Sequence, residues 1–273
     1  MHRVANLWDE NFRHLPCSVH GKVARKIEYR RDLLEWDGIT LFTDSFMFSE
    51  IADRVRTDHK IGWLLEPPSV SPWLYDNFAS VVGRFDFTLT YEQSLLDRFP
   101  GKTRFVPCGG CWIRAENMGV GPKSRDVSMI YSAKTSTPGQ RLRHELARGL
   151  KGVDLFGRGI APIERKEDGL RDYRYSVVVE NGRIRNYFTE KIVDCLAVGT
   201  VPIYWGCPNI GDFFDERGIL SFESPGELQA ILASATPQKY AELAEVVAHN
   251  FAESLQYEIT EDWFAEHVLT ELM

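Results

Sequence analysis

No apolar run in the 273-residue sequence approaches the ~18 residues expected of a membrane-crossing helix. The opening residues, Met1 to Glu10, lack the apolar core of a secretory signal. The five cysteines are odd in number and scattered, which argues against a secreted disulfide framework. Basic charge is not in excess. Lys and Arg total 32 against 39 Asp and Glu, a net charge of -7 that is the reverse of a nucleic-acid-binding footprint. There is no Asp-x-Asp pair, no low-complexity tract and no repeat, and the seven histidines are dispersed. What remains is a cytoplasmic, globular protein, with room for peripheral action at a membrane face. Cys108-Gly109-Gly110-Cys111 has the spacing of a redox pair or half a zinc site, but no second close Cys/His pair completes four ligands. It reads as a glycine-rich loop ending a strand.

The length suits two domains. In the first half, short apolar runs at 38–43, 60–65, 85–90 and 103–107 read as strands, with helices predicted over 71–80 and 92–98. Residues 116–126 are polar and turn-rich, so they read as a linker between a domain at 1–115 and another at 127–255. The second series has strands at 127–131, 153–156, 175–179, 201–205 and 219–222. Its helices fall at 140–150, 189–198 and 227–233, and a C-terminal helix within 256–273 is expected to pack back on the domains. Alternating strands and helices predict an α/β fold of two Rossmann-like domains facing a cleft, with parallel sheets and flanking helices. Ligands in such sheets lie beyond the carboxyl ends of the strands.

The segment from Val177 to Phe222 carries the chemistry. It holds Val179-Glu180-Asn181-Gly182, then Asn186-Tyr187-Phe188-Thr189-Glu190-Lys191, then Gly199-Thr200-Val201-Pro202-Ile203-Tyr204-Trp205-Gly206. Thr189 suits a helix N-cap, and Glu190 in the first turn favours the helix dipole. Lys191 opposes that dipole, and a broken local rule is expected at a functional site. A helix N-terminus joined by a lysine is suited to a diphosphate.

This segment resembles the donor-binding motif of family 10 glycosyltransferases, the α-1,3/4-fucosyltransferases, and is most similar to the bacterial members. The likeness extends more thinly over roughly residues 60 to 225, through Trp63-Leu64-Leu65-Glu66-Pro67, Phe87-Thr88-Leu89-Thr90-Tyr91, Arg141-Leu142-Arg143 and Val153-Asp154-Leu155-Phe156-Gly157. The resemblance implies the two-domain GT-B fold and an inverting, metal-independent transfer of L-fucose from GDP-fucose to a glycan hydroxyl. No cofactor is implied beyond the nucleotide-sugar donor. Lys191 and one of Arg141 or Arg143, with Arg141 favoured, would neutralise the leaving diphosphate. Glu190 would bond the ribose, Tyr187 would lie near the donor, and Glu180, Asn181 and Thr189 would line the donor pocket. Inversion needs a base on the acceptor hydroxyl. Glu66, ending an apolar strand before Pro67-Pro68, is the expected one, with Glu92 as the alternative. The implied partners are a nucleotide-sugar donor and a glycan or glycoconjugate acceptor. Two other readings stay open: a transferase on the same scaffold using another nucleotide sugar, and an inactive glycan- or nucleotide-binding module. Intact Glu66, Glu190 and Lys191 speak against the inactive module.

Overall fold

The computed structural model describes residues 3–10, 12 and 15–272. Met1, His2 and Met273, at the outer ends of the two terminal segments named above, lie outside the described residues. The chain forms two units, one of residues 1–108 with 259–273, the other of residues 109–258.

The first unit holds strands β1 (Arg3–Trp8), β2 (Ile27–Arg31), β3 (Glu35–Thr43), β4 (Arg56–Trp63), β5 (Phe87–Thr90) and β6 (Thr103–Phe105). They form one sheet in the order β2-β1-β3-β4-β5-β6, with every pairing parallel. Helices α1 (Ile51–Arg54), α2 (Pro72–Asp76) and α3 (Gln93–Arg98) lie in its connections. Residues 71–80, predicted as one helix, contain only the short α2, then a one-turn 3-10 helix at Phe78–Ser80.

The second unit holds β7 (Arg125–Ile130), α4 (Pro138–Gly149), β8 (Asp154–Phe156), β9 (Tyr173–Val179), α5 (Glu190–Ala197), β10 (Val201–Trp205) and β11 (Leu220–Ser221). Helices α6 (Pro225–Ser234), α7 (Pro237–Glu242) and α8 (Ala244–Ser254) follow. The sheet order is β11-β10-β9-β7-β8, again parallel throughout. Strand β9 sits at the centre, and its last five residues are all buried, as a parallel strand covered on both faces requires. Helices α4, α6 and α7 share one start signal, a Ser or Thr whose side chain caps the helix followed by proline at the first helical position. The capping side chain satisfies a free N–H, and proline has none to leave unsatisfied.

Residues 116–126 are part of the second unit rather than a free tether. The Gly119 N–H donates to Ala197 O at 2.9 Å. Lys123 Nζ reaches Val198 O at 2.7 Å, Arg171 O at 2.8 Å and Thr200 Oγ1 at 3.1 Å. Their glycines and polarity imitate a linker, but long-range hydrogen bonds hold them. The end of the chain is divided. Tyr257 packs on Phe188 in the second unit, with ring centroids 5.1 Å apart. From Ile259 the chain belongs to the first unit, as helix α9 (Thr260–His267). Phe264 of α9 is fully buried 5.6 Å from Trp63, in a core shared with Leu7, Ile27, Leu41, Ile61 and Leu89.

Candidate functional site

Both sheets reverse their strand order once, at β1/β3 in the first unit and at β7/β9 in the second, and ligand crevices open at the carboxyl ends of such strand pairs. In the second unit Glu180 follows β9 directly. Two observations fix the backbone there. The Gly139 N–H, at the start of α4, donates to Asn181 O at 3.0 Å. A Cβ on Gly139 would run into the Glu180 carbonyl, so glycine is needed for this approach. A Cβ on Gly206, after β10, would meet the Tyr204 ring and then the Glu180 side chain.

Glu180 is fully buried and organises the start of α5. Its two carboxylate oxygens accept the Thr189 N–H at 2.9 Å and the Thr189 hydroxyl at 2.8 Å. Thr189 caps α5 through Lys191 N. Lys191 Nζ then lies 2.8 Å from Thr189 Oγ1, 3.2 Å from Glu190 Oε1 and 3.4 Å from Glu180 Oε2. Glu180, Thr189, Glu190 and Lys191 thus form one cluster at a helix N-terminus on the carboxyl edge of the sheet.

The cluster continues through residues that the sequence analysis did not select. Lys166 Nζ is 2.7 Å from Asp194 Oδ2 and 3.7 Å from Glu190 Oε1, and it sits 4.3 Å from the centre of the Trp112 ring. The Trp112 N–H donates to Asp194 Oδ1 at 2.6 Å. Negative and positive groups therefore alternate from Glu180 through Lys191, Glu190 and Lys166 to Asp194. Burial opposes ionisation of Glu190, but Lys191 and Lys166 outweigh it and bring the carboxyl down to about 2. For Asp194 burial wins and raises the carboxyl, with Lys166 opposing. One signal for this extension was in the sequence. Asp194 sits one turn after Glu190 among Ile192, Val193, Cys195 and Leu196, and a carboxylate inside an apolar helix needs a partner.

The two arginines separate. Arg143 is buried, with Nε on Val179 O at 2.8 Å and one terminal nitrogen on Asn181 Oδ1 at 3.0 Å. Arg141 is exposed and donates to Thr135 O and Ser136 O, in the loop before its own helix. Arg143 is the arginine at the end of β9. Tyr187 is buried, while Asn186 takes a left-handed φ of 64° and pairs with Asn209 through two hydrogen bonds of 2.8 Å. The Cys-Gly-Gly-Cys segment is not joined by a disulfide, and Gly109 and Gly110 are both at positive φ, with the Gly109 N–H on Phe188 O.

In the first unit Glu66 follows β4, half-buried, with its carbonyl accepting the Tyr75 hydroxyl at 2.7 Å. Its N–H and that of Leu65 are held by Asp44 Oδ1, at 3.3 and 2.8 Å. Asp44 is buried at φ 41°, immediately after β3. Burial, together with the nearby charges of Glu66 and Asp9, pushes its carboxyl up to about 7 against the pull of the two N–H groups. Glu92, the alternative base, caps α3 by accepting from Ser94 N and Ser94 Oγ. Among the described residues no group of three or more His, Cys, Asp or Glu is arranged to hold a metal ion, and no helix is long and apolar enough to cross a membrane.

Residues 121–245 match the glycosyltransferase family 10 (fucosyltransferase) C-terminal domain. Over 224 residues, 72% of the chain, the sequence is 24% identical to α-(1,3)-fucosyltransferase B of Drosophila melanogaster, covering 49% of that protein. Over 59 residues, 22% of the chain, it is 32% identical to an α-(1,3)-fucosyltransferase of Helicobacter pylori, covering 12% of it. The chain thus spans about half or less of these curated relatives. A crystal structure of an α1,3-fucosyltransferase with GDP superposes with a TM-score of 0.58 at 15% identity, over 91% of this chain and 82% of that one. Anabaena HepE in complex with UDP-glucose gives 0.59 at 11% identity, over 85% and 78%. These likenesses make the fold that of the GT-B glycosyltransferases, built from two parallel-sheet α/β domains. Within its second unit the chain thus matches the C-terminal domain of family 10 fucosyltransferases, and it is similar to fucosyltransferases beyond that domain.

Proposed function

We propose that the chain is an inverting glycosyltransferase that moves L-fucose from GDP-fucose to a hydroxyl of a glycan or glycoconjugate, without a catalytic metal. The observation that carries this reading is the cluster at the start of α5. A half-buried lysine sits at a helix N-terminus beside a carboxylate held ionised, on the carboxyl edge of the sheet. The diphosphate would sit at the positive end of α5 against the Lys191 ammonium, exchanging the carboxylates that now hold this lysine for phosphate oxygens. Arg143, at the end of β9, is the better-placed second cation. Glu190 would accept from a ribose hydroxyl.

The transfer balances as a single displacement. Glu66 takes the proton of the acceptor hydroxyl, and the acceptor oxygen bonds to C1 of the sugar. The bond from C1 to the phosphate oxygen breaks, and its electron pair leaves on GDP, whose new charge the lysine and arginine receive. Five cysteines without a disulfide suit a reducing compartment, so the proposal is of a cytoplasmic enzyme.

Calorimetry with GDP, GDP-fucose, GDP-mannose, UDP-glucose and CMP, with and without EDTA, tests the donor. A glycan array probed with labelled GDP-fucose tests the acceptor. Tight, EDTA-insensitive binding of GDP and GDP-fucose with transfer on the array is expected. Selective binding of UDP-glucose would replace the donor, and GDP binding without any turnover would favour an inactive binding module.

A further inference from the structure

Strands β3 and β4 run side by side until Thr43 pairs with Trp63, and there the ladder ends. Beyond it Asp44 turns into a left-handed φ of 41° and starts a 3-10 helix, while the other chain continues to Glu66. A non-glycine residue in that conformation is strained, and such strain persists only where its surroundings over-determine it. Here a side chain replaces the missing ladder, because one oxygen of Asp44 accepts both the Leu65 and the Glu66 N–H. On the other side of Glu66, the carbonyl accepts the hydroxyl of Tyr75, which lies 3.4 Å from that of Tyr91. Pro67 and Pro68 come next and fix their own φ. Side chains therefore hold both backbone polar groups of Glu66.

We infer that Asp44 is a positioning residue for Glu66, fixing the backbone from which that carboxylate meets the acceptor hydroxyl. This rests on the reading of Glu66 as the base. Asp44 touches no substrate in this role and acts through the geometry of its neighbour. Misplacing a reacting group by about 1 Å costs on the order of 10²-fold in rate.

The test compares Asp44→Ala, Asp44→Asn, Tyr75→Phe and Glu66→Gln with the double variant Asp44→Ala/Glu66→Gln. GDP release from GDP-fucose is measured with the best acceptor of the glycan array, or with water if the array yields none. GDP affinity and thermal unfolding are measured for each variant. Asp44→Ala is expected to lower kcat about 10²-fold while GDP affinity, which belongs to the second unit, is kept. Asp44→Asn, which retains an oxygen for the two N–H groups, recovers most of that loss. If Asp44→Ala does not fold, Tyr75→Phe, which releases the other side of Glu66, carries the same expectation with a smaller loss. Residues acting as one unit are non-additive, so Asp44→Ala costs little further once Glu66 is Gln. Losses that multiply in the double variant, or Asp44→Ala and Tyr75→Phe at wild-type kcat, would overturn the inference while leaving Glu66 as the base. A Glu66→Gln enzyme at wild-type rate would instead remove the base, and the inference with it.

Discussion

Replacing Lys191 by Met removes an ammonium but keeps a flexible stem of similar reach, so the loss is electrostatic rather than steric. Two consequences can be worked from the geometry. Donor binding loses at least one charge-assisted contact to the diphosphate, worth about 1.5–3 kcal/mol. That corresponds to GDP binding weaker by about 10- to 150-fold. Stability falls too, because the fully buried Glu180 loses the cation 3.4 Å from its Oε2. Removing one partner of a buried ion pair costs about 3–5 kcal/mol. Thr189 still gives Glu180 two hydrogen bonds of 2.9 and 2.8 Å, and Lys191 is partly solvated, so a smaller loss of about 1–3 kcal/mol is expected. Calorimetry with GDP and with pyrophosphate should show parallel losses, because the missing contact belongs to the phosphates. The double variant Glu180→Gln/Lys191→Met should regain stability without regaining GDP affinity. Unchanged GDP affinity in Lys191→Met would refute the placement of the diphosphate at the start of α5.

Three further outcomes follow from the fold. Gly139→Ala adds helix propensity worth about 1 kcal/mol to α4, yet its Cβ meets the Glu180 carbonyl. A net loss of about 1–3 kcal/mol in chemical denaturation is expected, since overpacking against backbone outweighs propensity. The carboxyl of Glu190 lies below its ordinary value of 4.5, at about 2, so its stabilising contribution is present above pH ~4.5 and is lost as pH falls through ~2. Denaturation between pH 6 and 2.5 should show Glu190→Gln flattening that acid limb by on the order of 1–3 kcal/mol. Phe264→Ala should lower the stability of the first unit by about 3–5 kcal/mol in thermal unfolding, because the ring is fully buried against Trp63.

The alternation of strands and helices was legible because central parallel strands are apolar along their length, as in Tyr175-Ser176-Val177-Val178-Val179. Strands β1 and β2 were not. Strand β2, Ile-Glu-Tyr-Arg-Arg, is an edge strand whose charged residues protect it from pairing with other chains, and the same charges hide it. Strand β1 has Asn6 at its centre, which satisfies itself through Leu33 O and Thr40 Oγ1, contacts distant in sequence. In the candidate site, the start of α5 could be read from Thr189 and Lys191, since a cap and a charge against the dipole are local facts. The partners of that cluster could not. Lys166 joins Asp194 from a separate 3-10 turn, and nothing near Asp44 in sequence announces that its carboxylate ends a ladder two strands long. Spacing also left Arg141 and Arg143 open, whereas burial separates them.

The return of the chain to its first unit at Ile259 bears on the order of events during synthesis. The core there needs Ile259, Phe264, Ala265, Val268 and Leu269 beside strands that precede the second unit in the chain. Domains generally fold as units while the chain emerges, N-terminal first. Here the earlier-made sheet must wait, with apolar surface uncovered, until more than half of the polypeptide has followed it off the ribosome. The second unit, continuous in sequence, can finish in the meantime. Of the two units, the one whose strands are translated earlier is therefore the later to be completed, and until α9 arrives its apolar face stays open to wrong contacts.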